Sequence, residues 1–240
     1  MKKALTIAKH VFKIVCLVVV FGTTAVLLWR VFSSGDPQAA KTLLADERLK
    51  TAYAEKGDDL TAYWQKLDTI TRGNENYGYF SVTKGLFIED ANQVQVIFRY
   101  NNSTLRHLKE DYALEAIPGR DEDVYDVSLV VVYDLTPDNK KDNSGTADGY
   151  EPGAVNIVRY HPEKEPTFSG RHNVYNYRKF VFNDVDMTLT DTPVLSVYVD
   201  IYYKDDINYE EDAYGTLIIY DYTMPRQEYA LTRQDKKALE

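Results

Sequence analysis

The sequence predicts a mainly β protein, in which an antiparallel β-sandwich follows an N-terminal transmembrane helix and a short helical stalk. Three observations support this fold class. Residues 14–29 carry no charge, residues 36–71 combine helix-forming with helix-capping side chains, and from residue 78 onward apolar and polar side chains alternate in short runs. A long uncharged run is typical of a membrane span, and a period of two is typical of a half-buried strand.

The N-terminal apolar segment extends past its flanking charges, Lys13 and Arg30, and therefore predicts a membrane helix over residues 11–32. At 1.5 Å per residue this helix is about 33 Å long, which matches the roughly 30 Å of a hydrocarbon core. Trp29 lies near its second end, where an indole ring favours the lipid–water interface.

The charges on either side of this helix predict its orientation. Residues 1–13 contain four lysines and no acid, a composition that favours a cytoplasmic N-terminus. After Arg30 the chain has 23 of its 28 Lys and Arg and all 37 Asp and Glu, a formal charge of −14. We therefore predict a single-pass membrane protein with an extracytoplasmic C-terminal domain.

Two alternatives to a membrane anchor remain at this stage. One is a signal peptide cleaved at the small residues 23–25, although this cleavage would leave the apolar residues 26–29 at the new N-terminus. The other, a buried core helix, fits the basic N-terminal flank less well.

Composition restricts the cellular setting of the protein. Cys16, the only cysteine, lies within the predicted membrane helix, so the remainder of the chain has no disulfide. A cysteine-free domain outside the cytoplasm suits the envelope of a Gram-positive bacterium better than an animal secretory pathway. The negative charge argues against a nucleic-acid partner, because a phosphate backbone needs a basic surface.

The region after the membrane helix predicts a helical stalk over residues 36–71. Asp36 and Pro37 are typical of a helix start, and Gly57 is typical of a helix end. A second helix is predicted from residue 58 or 59, because apolar side chains recur at i, i+3, i+4 and i+7. These side chains are Leu60, Tyr63, Trp64 and Leu67.

Short runs with a period of two predict the sandwich over residues 78–233. Clusters of Gly, Pro, Asn and Asp separate about eight runs, which occupy residues 79–84, 86–89, 93–100, 124–133, 155–160, 175–182, 194–203 and 216–222. Residues 104–112 and the C-terminal tail, 234–240, are predicted to be short helices. The strand spacing is immunoglobulin-like in the broad architectural sense, although the sequence lacks the Cys–Trp–Cys framework of a true immunoglobulin domain.

An acidic, glycine-containing loop over residues 134–151 is a candidate calcium site. Hard oxygen ligands on a flexible loop suit Ca²⁺, and the candidate ligands are Asp138, Asp142, Asp148 and Glu151. Oxygen-bearing side chains alternate over residues 142–148, but hydroxyls occupy the middle positions and the glycine expected at position six is missing. A solvated hairpin connection is the alternative interpretation, and no other cofactor is predicted.

Catalysis is not expected from the sequence. The histidines beyond the membrane helix, His107, His161 and His172, lack partners at zinc-ligand spacing, and no Gly-x-Ser-x-Gly motif occurs. A Ser–His–Asp hydrolase assembled by the fold is kept as the third functional alternative. Five acids within residues 205–212 either bind a cation or basic partner or keep a hairpin tip soluble.

Tyrosines concentrate near the last predicted hairpin and suggest a binding surface. They are Tyr198, Tyr202, Tyr203, Tyr209, Tyr214, Tyr220 and Tyr222. Tyrosine is favoured at interfaces, but it is also a good strand former that packs a half-buried sheet. We predict an envelope accessory or adaptor that binds a protein partner through these rings. A carbohydrate- or small-ligand-binding module, stabilised by Ca²⁺, is the alternative.

Overall fold

The computed structural model describes residues 2–32, 42–65, 80–119, 122, 124–135, 154–162, 167–172, 175–187, 194–208 and 213–240. The chain divides into two compact units, residues 1–37 and residues 38–240. The first unit contains one long helix, and the second is mainly β.

The helix of the first unit, α1, spans Lys2–Phe32. Its segment His10–Trp29 is long and apolar enough to cross a membrane, a property that an N-terminal signal sequence shares. Two threonines inside this segment bond back to the helix, Thr23 to the Val19 carbonyl at 2.7 Å and Thr24 to the Val20 carbonyl at 2.8 Å. Their hydroxyls therefore need no water, which suits an apolar surrounding.

The second unit contains ten strands and three α-helices within the described residues. The strands are β1 (Ala62–Trp64), β2 (Phe80–Ile88), β3 (Gln93–Asn101), β4 (Tyr125–Asp134), β5 (Val155–Tyr160), β6 (Thr167–His172), β7 (Tyr175–Asn183), β8 (Val194–Tyr203), β9 (Gly215–Asp221) and β10 (Gln227–Glu228). The helices are α2 (Glu47–Lys56), α3 (Asn102–Asp111) and α4 (Arg233–Leu239).

These strands form two sheets in which all pairings are antiparallel. The six-stranded sheet has the order β10-β1-β2-β3-β7-β6, and the four-stranded sheet has the order β5-β4-β8-β9. The predicted mainly β class with antiparallel sheets is thereby confirmed. The apolar run at 124–133, predicted to be a central strand, lies as β4 between β5 and β8.

One main core joins the two sheets. On β3 the alternate residues Val94, Val96 and Phe98 enter this core, as predicted, and from the other sheet Val197 and Val199 of β8 meet them. Aromatic stacking adds to the packing, since the ring of Phe98 lies 5.3 Å from that of Phe180 on β7. Burial of these side chains from both sheets, at about 25 cal/mol per Å², provides the main stabilisation of the fold.

The predicted second stalk helix is wrong, because Ala62–Trp64 forms strand β1 between β2 and β10. Tyr63 enters the main core, whereas Leu60 and Ala62 belong to a second cluster on the opposite side. The side chains of this segment therefore alternate between the two faces of the sheet, as the side chains of a strand do. Pairing with the apolar strand β2 outweighs the helical spacing that the isolated sequence shows.

The second cluster covers the outer face of the six-stranded sheet, and residues 42–60 and 229–239 together form this outer cover. Leu86 and Ile88 of β2 face the cover, and Phe87 between them faces the main core. Part of the predicted stalk therefore packs on the β domain. The predicted first helix is shorter than expected, because α2 begins only after its N-cap Asp46 and residues 43–46 are not helical. Residues 36–41 and 66–71 of the predicted stalk lie outside the described residues.

Asp235 on α4 joins the two segments of the outer cover. Its buried carboxylate accepts hydrogen bonds from the Leu43 amide at 2.7 Å and the Tyr229 hydroxyl at 2.8 Å. Nearby, the Gln95 side chain of β3 bonds to both the amide and the carbonyl of Leu44, each at 2.8 Å. These bonds replace water at buried polar groups, as a covered sheet face requires.

Three further elements differ from the prediction. β2 is one continuous strand with a register shift between Val82 and Lys84, where two strands were predicted. β6 and β10 were not predicted, because β6 contains a glycine and polar side chains and β10 has two residues. The short helices at 104–112 and 234–240 are present as α3 and α4, each opened by a capping box, at Asn101 and at Thr232.

Candidate interaction surface

The predicted tyrosine surface is largely buried in the structure. Tyr203, Tyr214 and Tyr220 belong to the main core, Tyr222 packs against it half-buried, and Tyr202 is buried on the opposite face of the four-stranded sheet. Tyr198 is half-buried, and Tyr209 lies outside the described residues. The six described rings therefore do not form the exposed patch that the predicted partner surface needed.

Packing explains why these tyrosines are internal. The Tyr112 ring lies 4.7 Å from Tyr203 and 5.6 Å from Tyr214. Each hydroxyl finds a polar partner at the edge of the core, since Tyr214 donates to Asp111 at 2.7 Å and Tyr203 donates to Asp205 at 2.9 Å. The amphipathic phenol thus fills apolar space while its oxygen stays bonded.

A polar network crosses the outer face of the four-stranded sheet, away from the main core. Arg159 on β5 pairs with Asp200 on β8, with 2.8 Å between Nη1 and Oδ2. The same nitrogen donates to Ser128 on β4 at 2.5 Å and to the Tyr202 hydroxyl at 2.6 Å, while Thr216 on β9 donates to Asp200 at 2.6 Å. Burial raises the pKa of Tyr202. The network links all four strands of this sheet, and the Asp200 carboxylate balances the positive charge of Arg159.

Exposed apolar side chains lie beside this network on β5. Ile157 is 62% exposed and Val155 is 44% exposed. Because Val158 and Tyr160 pack toward the main core, Val155, Ile157 and Arg159 place their side chains on the outer face. The exposed side chains of Val155 and Ile157 therefore lie beside the Arg159–Asp200 ion pair at the margin of the sheet.

The backbone of β5 also directs a second set of N–H and C=O groups to its outer side. The Leu135 amide donates to the Ala154 carbonyl at 2.9 Å, and Leu135 lies opposite Ala154 in the β4–β5 register. Hydrogen-bonded pairs alternate along an antiparallel ladder, so Val155, Ile157 and Arg159 direct their N–H and C=O groups away from β4. Among the described residues, no strand pairs with this side, which we call the β5 edge.

The other sheet edges carry features that limit pairing. β10 has two residues, and β6 has a register shift between Phe168 and Gly170. β9 has a register shift against β8 and lies close to β2, so that a Cβ on Gly85 would be 3.2 Å from the Cβ of Ile219. β5 has six residues, a regular register with β4, and no Pro, Gly or Lys. Natural proteins usually protect such an edge.

The remaining candidate residues do not assemble a site in the described part of the chain. The candidate calcium ligands Asp138, Asp142, Asp148 and Glu151 all lie outside the described residues. Within the residues described, no group of three or more His, Cys, Asp or Glu is placed to hold a metal ion.

The histidines are distributed over separate elements. His107 on α3 lies 3.5 Å from Glu110, exposed His161 follows β5, and His172 lies on β6.

Comparison with protein-family models, with curated proteins and with solved structures finds no match to this chain. The β5 edge is the one surface whose exposed apolar side chains and open backbone groups coincide within the described residues. Sequence reasoning found the strand 155–160 with its correct bounds but missed its position, because a strand's place in a sheet depends on the topology of the whole domain.

Proposed function

We propose that this protein is a membrane-anchored extracytoplasmic binding module, an envelope accessory or adaptor that binds a protein partner without catalysis. The apolar helix α1 supports the anchor. The basic N-terminal residues and the acidic remainder of the chain support an external domain. The lack of a disulfide in that domain favours a Gram-positive envelope.

We also infer an immunoglobulin-like connectivity for the sandwich. If β2 to β9 are labelled A, B, C, C′, D, E, F and G in chain order, the sheets contain the orders A-B-E-D and C′-C-F-G. This grouping is the one that immunoglobulin-like Greek-key sandwiches use. Domains of this architecture carry many unrelated functions, so the connectivity alone does not identify the partner.

The observation that carries the proposed function is the β5 edge. An extended segment that pairs with this edge would satisfy the backbone groups of Val155, Ile157 and Arg159, which is the mode of β-augmentation. It would also remove Ile157 and Val155 from water, and burial of such a side chain is worth roughly 1.5–3 kcal/mol. Asp200 already neutralises Arg159, so the partner strand needs no acid of its own.

Photo-cross-linking in cells tests this function. The full chain is produced with p-benzoylphenylalanine at position 157, and a matched control carries it at position 237, an exposed lysine on α4. We expect irradiation to give a covalent protein adduct from position 157 and much less from position 237. The adduct should stay in the membrane fraction after a carbonate wash, and its mass should be that of the uncleaved chain plus the partner. Equal adducts from both positions, or none from 157, would contradict the proposal.

A further inference from the structure

We propose that the protein bound at the β5 edge is a second copy of this chain, with the two β5 strands antiparallel about a two-fold axis at Ile157. This inference rests on the proposed binding function of that edge. The pairing would join two four-stranded sheets into one continuous eight-stranded sheet, a size within the usual range.

The backbone alternation of β5 permits this register. Only Val155, Ile157 and Arg159 direct their backbone groups outward, so a second strand must present outward groups opposite them. An axis at Ile157 places Ile157 opposite itself and Val155 opposite Arg159 of the second copy. Each such pair exchanges two bonds, which gives about six hydrogen bonds over five residues of each strand.

The side chains of β5 also match their own copy. The two exposed Ile157 side chains would cover each other, and each Val155 would contact the aliphatic stem of Arg159 of the second copy. The two Arg159 residues are four positions apart along the paired strands, about 13 Å at 3.3 Å per residue. Asp200 neutralises each one within its own subunit, so like charges do not oppose the pairing.

The charge distribution favours this edge as the meeting point of two copies. The chain beyond Arg30 has a formal charge of −14, so two copies generally repel each other. Residues 154–162 contain no acid, and their one Arg is neutralised. A basic partner would instead be drawn to the acidic surfaces, because the β5 edge offers it no opposite charge.

Disulfide cross-linking in membranes tests the inferred register. The full chain carries Cys16→Ser together with Ile157→Cys, and the control carries Cys16→Ser with Asn156→Cys, a neighbouring exposed position. We expect mild oxidation to convert the Ile157→Cys chain to a covalent dimer of twice 27.6 kDa. Its yield should exceed that of Asn156→Cys by about five-fold or more, because opposed residues of a hydrogen-bonded pair lie within disulfide range.

A mixed experiment checks the axis. Co-produced chains with Val155→Cys and with Arg159→Cys, both in the Cys16→Ser background, should cross-link to each other more than either does to itself. Cross-linking reports the β5 contact directly and does not depend on association through α1. Equal yields at positions 156 and 157, or no dimer at 157, would overturn the inference.

The photo-cross-linking experiment separates the two proposals. An adduct from position 157 of twice the chain mass supports both. An adduct with a different protein overturns the second-copy inference while the binding function stands, and the absence of an adduct overturns both. Ile157→Lys should abolish the cross-link between Val155→Cys and Arg159→Cys chains and leave the far-ultraviolet circular dichroism of the domain unchanged, since the side chain is exposed. A dimer that survives Ile157→Lys would also overturn the inference.

Discussion

Two buried tyrosines in the main core differ in the hydrogen bonding of their hydroxyl groups. The rings of Tyr125 and Tyr214 both pack edge-on against Phe80, at 4.7 and 5.8 Å. The Tyr125 hydroxyl is buried without a hydrogen-bond partner among the described residues, whereas the Tyr214 hydroxyl donates to Asp111 at 2.7 Å. Removing the oxygen atom should therefore have opposite effects at the two positions.

We expect Tyr125→Phe to raise the free energy of unfolding by about 1 kcal/mol, because it removes an unpaired buried polar group. Tyr214→Phe should lower it by about 1 kcal/mol, because it breaks a bond and leaves Asp111 without this donor. Urea unfolding of the full chain in detergent, followed by circular dichroism, measures both values. Destabilisation of similar size in both variants would show that the Tyr125 hydroxyl has a partner after all.

At the scale of elements, two strand glycines differ in what surrounds them. Gly85 lies in β2, where an added Cβ would be 3.2 Å from the Cβ of Ile219 on β9. Gly215 begins β9, and an added Cβ there would meet nothing within 4 Å. Neither glycine has a positive φ, so alanine is compatible with both backbones. The close approach of β2 and β9 is what distinguishes the two sites.

We expect Gly85→Ala to lower the free energy of unfolding by about 1–3 kcal/mol, because the added methyl overpacks the contact with Ile219. Gly215→Ala should raise it by about 0.5–1 kcal/mol, because alanine loses less backbone entropy on folding. Thermal unfolding of the two variants beside the unsubstituted chain tests both signs. Gly85→Ala without a loss of stability would mean that Ile219 moves aside at no cost.

The elements predicted best from sequence were those whose local pattern and tertiary surroundings agree. β3 and β8 alternate clearly between core and outer face, and the sequence fixes their bounds to within a residue. β1 was predicted as helix because its apolar residues recur at i, i+3, i+4 and i+7, and only its pairing with β2 makes this segment a strand. Composition concealed β6, since its glycine and polar side chains are typical of a loop.

The candidate surface was harder to predict for the same physical reason. The number of tyrosines shows that aromatic side chains are abundant, but it does not show whether a ring faces the core. Tyr203 and Tyr214 are buried by contacts with Tyr112, which is far away in sequence. The exposure of Ile157 likewise depends on β5 lying at a sheet margin. Such placement follows from strand order, which no local pattern encodes.

At the scale of the whole molecule, buried phenols predict how stability depends on alkaline pH. Burial raises the pKa of Tyr63, Tyr125, Tyr133 and Tyr229 well above the ordinary value of 10.0. Each phenol therefore keeps its proton in the folded state after the unfolded state has begun to lose it. Their contribution to stability is complete below pH 10 and is lost progressively as the pH rises toward the folded pKa values.

We expect the domain to unfold above pH 10, with each of these tyrosines contributing up to about 1.4 kcal/mol of lost stability per pH unit. Exposed tyrosines should ionise first, and the buried set only as the fold is lost. Parallel titrations of tyrosinate absorbance and far-ultraviolet circular dichroism test this order. Full ionisation of all tyrosines near pH 10 with unchanged circular dichroism would contradict it.

The bond between the Leu43 amide and the Asp235 carboxylate joins residues 192 positions apart. A ribosome adding 5–20 residues per second makes the second partner roughly 10–40 s after the first. During that interval, Leu86 and Ile88 of the nascent chain lack the part of the outer cover that residues 229–239 form. The outer cover is therefore completed only after α4 has been synthesised. A chain stalled before α4 exposes the apolar outer face of the six-stranded sheet to chaperones and proteases.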